Sequence, residues 1–345
     1  VNPRWARFLP ALRWRARQAA ERPGLAIGVL STSLVIAVLA AAGSGSVELP
    51  LWRVPEVLAD PSHPLHAVLT RVRLPRLVAA IEVGAGLAVA GLLLQTTLRN
   101  PLADAGLLGV SAGAGLAAMA VLTLWPAAAA LAPLAAFGGG LAAVAVLLLA
   151  ATWSGQGANP MSLLLAGVAL QAILFACIAV LTLLFADRAP AFVAFTVGSL
   201  TTTGWHEVAL ASAPLAIGIV GAWIASRALD VLLFDEASAT SLGLSVPRTR
   251  LVMAGFGALL AAAAVSLAGL VGFVGLLVPN AVRLALGGFH RTMVPLCAIG
   301  GALLVVLADL GARTVVAPIE LPVGAVLALL GGPFFLYLLY RGIDR

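Results

Sequence analysis

The sequence predicts an all-α integral membrane protein: a single domain over residues 1–345 with ten transmembrane helices. The 345-residue chain is 62% hydrophobic and 10% charged, with a mean hydropathy of +1.09, far beyond the apolar content of a soluble domain. Between Ala105 and Ala186 there is no Asp, Glu, Lys or Arg, a length sufficient for several crossings at about 20 residues each. A β-barrel would alternate polar and apolar residues in segments of about ten residues, and that alternation is missing.

Charges, prolines and glycine clusters mark the spans. The first, 25–43, follows an arginine-rich tail (1–24) and ends at a Gly/Ser run. The second, 76–98, closes at Asn100 and Pro101, which stop the helix and turn the chain. The third, 105–124, begins after Asp104 and ends before Trp125 and Pro126. The fourth, 131–153, runs to the stretch "GQGANPMS" at 155–162. The fifth, 162–186, stops before Asp187, and the sixth, 207–226, before Arg227. The seventh, 251–268, lies between Arg250 and Gly269, and the eighth, 272–286, ends at Gly287 and Gly288. The ninth, 293–312, ends at Arg313; the tenth, 322–340, starts at Pro322 and ends before Arg341.

Arg4, Arg7, Arg13, Arg15, Arg17 and Arg22 precede the first span, and Arg341 and Arg345 follow the last. Positive residues in tails and short loops stay in the cytoplasm, so both termini are expected there. The N-terminal segment reads as the first membrane anchor rather than a cleavable signal, because the apolar run behind it is about twenty residues long. Segment 44–75 then lies outside, where "VPEVLADPSHPLHAVLTRVRLPR" from Val54 reads as a short amphipathic helix on the outer surface, and 227–250 lies in the cytoplasm. "RLVAAIEVGAGLAVAG" from Arg76 echoes "RLVMAGFGALLAAAAV" from Arg250, and "AGLLGV" at 105 echoes "AGLVGF" at 268. One copy starts outside and the other inside, the pattern of a weak inverted repeat.

The candidate chemistry is sparse. All twenty basic residues are Arg, so the P-loop GxxxxGK[ST] cannot be built and any nucleotide-driven work falls to a partner. The basic balance reflects composition and does not suggest nucleic acid. Cys177 and Cys297 sit in apolar runs and read as small hydrophobes, neither a disulfide framework nor a metal site. His63, His66, His206 and His290 fall in loops or at span ends, with no HExxH, Ser/His pair or carboxylate dyad, so no catalytic residue and no metal ligand is assigned. Gln95 and Gln171 are expected to hydrogen-bond between helices, and Glu82 to meet water near the outer surface.

One polar stretch interrupts the apolar sequence: "FDEASATSLGLSVPRTR", residues 234–250. Asp235 can cap a short helix from Glu236 to Leu242, Gly243 supplies a left-handed stop, and Pro247 prevents re-initiation. A solvated loop is the ordinary alternative; a rigid knob for a partner's groove is the functional one.

The segments at 73–115, "LLLAGVAL" at 163, "FDEASATSLGL" at 234, "GFVGLLVPNAVR" at 272, "LADLGAR" at 307 and "ELPVGAVLALLGGPFFLYLL" at 320 together resemble the FecCD-type permeases of binding-protein-dependent ABC importers for iron chelates, haem and cobalamin. The resemblance covers about residues 49–339. It implies a homodimer with an axial pathway in a bacterial inner membrane, two cytoplasmic ATPase subunits that bind ATP and Mg, and a periplasmic substrate-binding protein; this chain itself would carry no cofactor. Segment 44–75 becomes periplasmic and 227–250 the ATPase-coupling loop, with Asp235, Glu236, Ala237, Leu242, Gly243, Arg248 and Arg250 at matching or flanking positions. Arg73, Arg76 and Arg313 match arginines that dock the binding protein; snorkelling for the first two and an i,i+4 pair of Asp309 with Arg313 are the alternatives. Asn159, Pro160 and Met161 match the inner gate, and spans five and ten, a short helix at about 191–200 and parts of span three line the pathway. Asn100, Pro101, Pro279, Arg283, Pro322 and Gly324 match structural motif positions.

Where many relatives carry a His after the proline of span eight, this chain has Asn280. Tyr337 and Tyr340 lie near the inner end of span ten and no His lies mid-membrane, which argues against tight haem ligation in transit. The expected function is the permease subunit of an ATP-driven importer of an iron chelate, haem or ferric siderophore, with cobalamin as the alternative cargo. A proton-coupled secondary transporter and a membrane enzyme are the alternatives from other classes.

Overall fold

A computed structural model describes residues 23–44, 49–153, 160–188, 193, 195–317 and 319–343. Most of the 1–24 tail, Asn159 and residues 191, 192 and 194 of the 191–200 segment lie outside the described residues. Among those described, the chain is helical and contains no strand. In chain order the helices are α1 (Pro23–Gly43), α2 (Val54–Ala59), α3 (Leu74–Thr97), α4 (Val110–Leu124), α5 (Ala132–Trp153), α6 (Pro160–Leu184), α7 (Trp205–Ile224), α8 (Ser226–Leu232), α9 (Glu236–Ser241), α10 (Val246–Ala268), α11 (Val274–Ala285), α12 (His290–Thr314) and α13 (Val323–Ile343). Seven of these, α1, α3, α5, α6, α7, α10 and α12, are long and apolar enough to cross a membrane; α4, α11 and the Val323–Leu336 part of α13 are shorter apolar helices.

Burial divides the helices into a centre and a rim. In the most apolar 18-residue stretch of the helix running from His66 through α3, 83% is buried; the corresponding shares are 67% and 56% for α10 and α12 but only 17% for α1 and α6. In a membrane an apolar face need not be buried in the protein to escape water, so association of the inner helices rests on close packing. Helix α3 packs against α10, α11, α12 and α7. Its small residues make this possible: a Cβ added to Gly84 would run into the Gly301 carbonyl of α12, and one added to Gly91 into the Gly275 carbonyl of α11.

Several helix starts differ from the sequence expectation. The second span begins ten residues early, because a π turn, Leu69–Arg73, closed by the Leu74 N–H on Leu69 O, carries the helix past Pro75, which has no N–H to donate. Segment 47–75 is therefore not one amphipathic helix. Its described part is a 3₁₀ turn and α2, which build a small core from Leu49, Val57 and Leu69, followed by a reverse turn and the first turns of the helix that becomes α3. The third span is broken: a 3₁₀ turn, Ala105–Leu108, ends at Gly109 with φ +78° before α4 begins. Pro247 does not block a helix either. It occupies the first turn of α10, where a missing N–H leaves nothing unsatisfied.

Helices α3 and α10 run antiparallel: Gly86 lies against Leu260, while Gly257 lies against Leu94 and Ala90. The two echoed segments thus start on arginines at opposite ends of the bundle, and both arginines are buried, Arg76 at 6% exposure and Arg250 at 5%.

Candidate functional site

At one end of the bundle the polar stretch folds into the knob that its local sequence dictates. Asp235 is extended (φ −60°, ψ 157°) and its carboxylate accepts the Ser238 N–H at 3.0 Å, capping α9. This bond from the Ser238 amide is the main cause that holds the Asp235 carboxyl below its usual value. The helix stops through Gly243, φ +85°: the Gly243 N–H bonds Thr240 O at 2.9 Å and the Leu244 N–H bonds Ala239 O at 3.1 Å, the paired closure that a left-handed residue permits.

The knob is anchored on one side and exposed on the other. Ala239 is fully buried against the core, while Asp235, Glu236, Ala237, Leu242, Gly243 and Arg248 are exposed. Arg250 is not on that surface. It is buried in the first turns of α10, with its Nη1 2.5 Å from Glu236 Oε1, so it braces the knob rather than presenting charge to a partner.

Further clamps come from residues that sequence reasoning did not single out. Arg99, in a left-handed conformation at φ 49°, donates from Nη2 to Leu232 O at 3.0 Å and also to Phe234 O, gripping the chain between α8 and α9. Asp230 of α8 accepts the His290 N–H at 2.9 Å and lies 2.6 Å from His290 Nδ1. His290 Nε2 is in turn 2.8 Å from Thr96 Oγ1 in the last turn of α3. Helices α8, α12 and α3 are thereby joined by one polar chain.

Beside it, Arg283 of α11 donates to Asn280 Oδ1 at 3.0 Å and to Gln95 Oε1 at 3.2 Å. Gln95 donates to Gly275 O at 3.0 Å, the interhelical bond expected of it. The Asn280 amide donates to Pro101 O and Leu276 O, both at 2.8 Å, so Asn280 ties α11 to the turn after α3. In that turn Asn100 Oδ1 accepts the Leu102 N–H at 2.9 Å. Pro279 lies within α11.

The opposite end holds Arg73, Arg76 and Arg313, each only 6% exposed. Arg76 pairs with Asp309 at 2.9 Å and with Glu320 at 2.8 Å. Arg313 Nε lies 3.2 Å from Asp309 Oδ2, the i,i+4 pair, and its Nη atoms reach Ser44 O at 3.3 Å and Ala41 O at 3.4 Å. Arg73 Nη1 donates to Ala42 O at 2.8 Å. The last carbonyls of α1, which have no partner within their own helix, are thus capped by two guanidinium groups. All three guanidinium groups are thus held by acceptors that the chain itself supplies, the Asp309–Arg313 i,i+4 pair among them.

The remaining motif residues are spread out. Pro160 opens α6 and Met161 is 62% exposed. The Pro322 carbonyl accepts the Ala325 and Val326 amides at 3.1 and 3.3 Å, and a Cβ on Gly324 would collide with the Val197 carbonyl. Glu82, expected to meet water, is half-buried and accepts the Ser212 hydroxyl at 2.6 Å; its second oxygen is buried without a partner among the described residues.

Residues 33–341 match the FecCD transport family. The chain is 37% identical over 330 residues to the hemin transport system permease protein HmuU of Yersinia pestis, covering 93% of this chain and 96% of that protein. It is 39% identical over 304 residues to the Fe(3+) dicitrate transport system permease protein FecD of Escherichia coli, covering 86% and 92%. It is 39% identical over 272 residues to the cobalamin import system permease protein BtuC of Halobacterium salinarum, covering 79% and 73%. A solved chain from a metal-chelate type ABC transporter in an inward-facing conformation superposes with a TM-score of 0.80 at 26% identity, covering 92% of this chain and 99% of that one.

Proposed function

The chain belongs to the FecCD transport family, and on that premise we propose that it is the ten-span membrane subunit of an ATP-driven importer carrying an iron chelate, haem or a ferric siderophore, into the cytoplasm. At the coarser level it is a multi-pass permease of the ABC importer type. The iron-chelate reading is supported by the hemin and ferric dicitrate permeases among its relatives. Cobalamin is the second reading, favoured by its 39% identity to a cobalamin permease.

The observation that carries the mechanism is the knob. A capped helix exposing Glu236, Ala237 and Leu242 on one side and locked through Ala239, Arg250 and Arg99 on the other suits transmission of force, because a floppy loop would absorb a push. In this reading both termini and the knob face the cytoplasm, and two partner ATPases, which bind ATP and Mg, seat Asp235, Glu236, Ala237, Leu242 and Gly243 in a groove, with Arg248 at its edge. Closure of the ATPases pushes α9. The Asp230–His290–Thr96 chain passes the displacement to α12 and α3.

At the outer end a periplasmic binding protein docks over Arg73, Arg76 and Arg313. Its carboxylates reach Arg76 by exchanging with Glu320, whose side chain is 37% exposed, so docking and loosening of the brace are one event. Such charge pairs orient and speed docking more than they tighten it. A second copy of the chain completes the pathway, with α6 and α13 facing the axis and Asn159, Pro160 and Met161 at the inner gate. The exposed Leu165, Val168, Leu329 and Leu330 on those helices are suited to that packing.

A proton-coupled carrier is less well supported, since Glu82 is bonded to a serine rather than to a second acid. The deciding experiment reconstitutes the chain with candidate ATPase and binding-protein partners in vesicles and compares uptake of haem, ferric siderophores and cobalamin. ATP-dependent accumulation of one cargo is expected. Uptake at the same rate without ATP overturns the proposal.

A further inference from the structure

Two adjoining hollows lie between α5, α7 and α10, at the end of the bundle that carries Arg76. The smaller one, about 250 Å³, is walled by Leu134 and Phe137 of α5, Leu210, Pro214 and Ile217 of α7, and Leu259 of α10. The other, about 440 Å³, has Leu122, Phe195 and Leu267 in its wall together with the polar residues Ser199, Thr201, Thr202, Thr203, Ser266 and Glu207. Pro133, Glu207 and Ser266 border both, so the more polar hollow, the cup, adjoins an apolar trough.

Three observations identify the occupant. In the most apolar stretch of α7, and in that of the span from Pro126 to Ala150 that takes in most of α5, only 28% is buried, so the trough opens on helices that the bilayer bathes. Trp205, 48% exposed, stands two residues before Glu207 at the start of α7 and is fixed by its Nε1–H on Thr70 O at 2.7 Å. Exposed indoles settle at headgroup level, which places the cup among headgroups and the trough among acyl chains. Finally, among the described residues Glu207 is the one ionisable residue in either lining. Its Oε2 accepts the Gly204 N–H at 2.9 Å. A carboxylate has about four acceptor positions, so this bond leaves room for a cationic donor.

We propose that this cleft binds a phospholipid whose headgroup ends in a primary ammonium, with the ammonium on Glu207 and one acyl chain in the trough. An anionic headgroup would meet the Glu207 charge with no cation among the described lining residues to offset it. A polar solute would leave the trough empty.

Two substitutions test this on the purified, delipidated full chain, with phosphatidylethanolamine and phosphatidylglycerol of identical acyl chains as probes and retained lipid read by native mass spectrometry. Glu207→Gln removes the charge yet keeps an acceptor for the Gly204 amide, since Gln serves in the same capping arrangement. Ala213→Trp fills the trough from the lipid side. The unmodified chain should retain phosphatidylethanolamine about tenfold better than phosphatidylglycerol, the effect of one charge-assisted hydrogen bond. Glu207→Gln should equalise the two lipids, and Ala213→Trp should lose both. Equal retention by the unmodified chain, or unchanged selectivity in Glu207→Gln, overturns the proposal. So does unaltered lipid retention in Ala213→Trp together with a changed oligomeric state, which would assign the face to a second copy. If Ala213→Trp fails to fold, the Glu207→Gln comparison alone decides.

Discussion

Arg250 Nη1 stands 2.5 Å from Glu236 Oε1, joining a cation that is 5% exposed to an acid that is 62% exposed. Half of this ion pair is embedded in α10 and half is offered to the surface, so whatever contacts Glu236 pulls on a residue at the root of a central helix. Reversing the acid in Glu236→Arg sets two guanidinium groups against each other. ATP-driven uptake in reconstituted vesicles should fall about tenfold or more, the scale of a lost charge-assisted hydrogen bond, with the amount of protein in the membrane unchanged. Undiminished uptake would remove the lever role from the knob.

Asp309 is the acid between Arg76 and Arg313 and is 1% exposed. In Asp309→Ala both cations stay buried with less compensation, and breaking a buried pair costs about 3 to 5 kcal/mol. A lowered unfolding temperature in detergent checks this. Glu320→Gln, at the half-exposed edge of the same cluster, should cost far less stability. In the docking scheme it should also raise affinity for the binding protein at low salt; a fall in affinity would contradict the exchange of Glu320.

The Asp235 cap has a defined pH dependence. Its carboxyl is held below the ordinary value of 3.8 when folded, so the unfolded knob binds a proton more readily than the folded one. The cap's contribution is therefore complete above pH 3.8 and declines as pH falls through the lower folded value. Hydrogen exchange at the Ser238 amide should accelerate in that acidic window. In Asp235→Asn, which caps without titrating, it should not.

Gly84 and Gly301 meet where α3 crosses α12, and each would drive a Cβ into the other's carbonyl. Gly84→Leu should abolish stable insertion, since two central helices cannot separate without opening the core. A wild-type thermal profile for Gly84→Leu would show that this crossing is not the one adopted in the membrane. Gly255, where a Cβ meets nothing within 4 Å, is the matching control, and Gly255→Ala should fold normally.

How far the sequence could be read followed distance along the chain. The Asp235 cap and the Gly243 stop were legible because each depends on bonds within a few residues, and the apolar runs were legible because lipid selects composition. Helix starts were less so: a proline marks either a stop or a first turn, and the surroundings of Pro75 and Pro247 decide which. The clamps were not legible. Arg99 reaches Phe234 across 135 residues, Thr96 reaches His290 across 194, and Arg76 reaches Glu320 across 244. An isolated polar residue at a helix end carries no local sign of such a partner.

By itself the sequence determined that the chain is a membrane-embedded helical protein, where its apolar segments run, and that a capped polar knob interrupts them, since hydropathy and capping are local properties. The tertiary structure decided which charges are spoken for. It turned Arg73, Arg76 and Arg313 inward and drew Arg250 beneath Glu236. The reason is energetic: a buried guanidinium must find acceptors or abandon burial, and only the packing of α1, α3, α9, α10 and α12 brings those acceptors within reach.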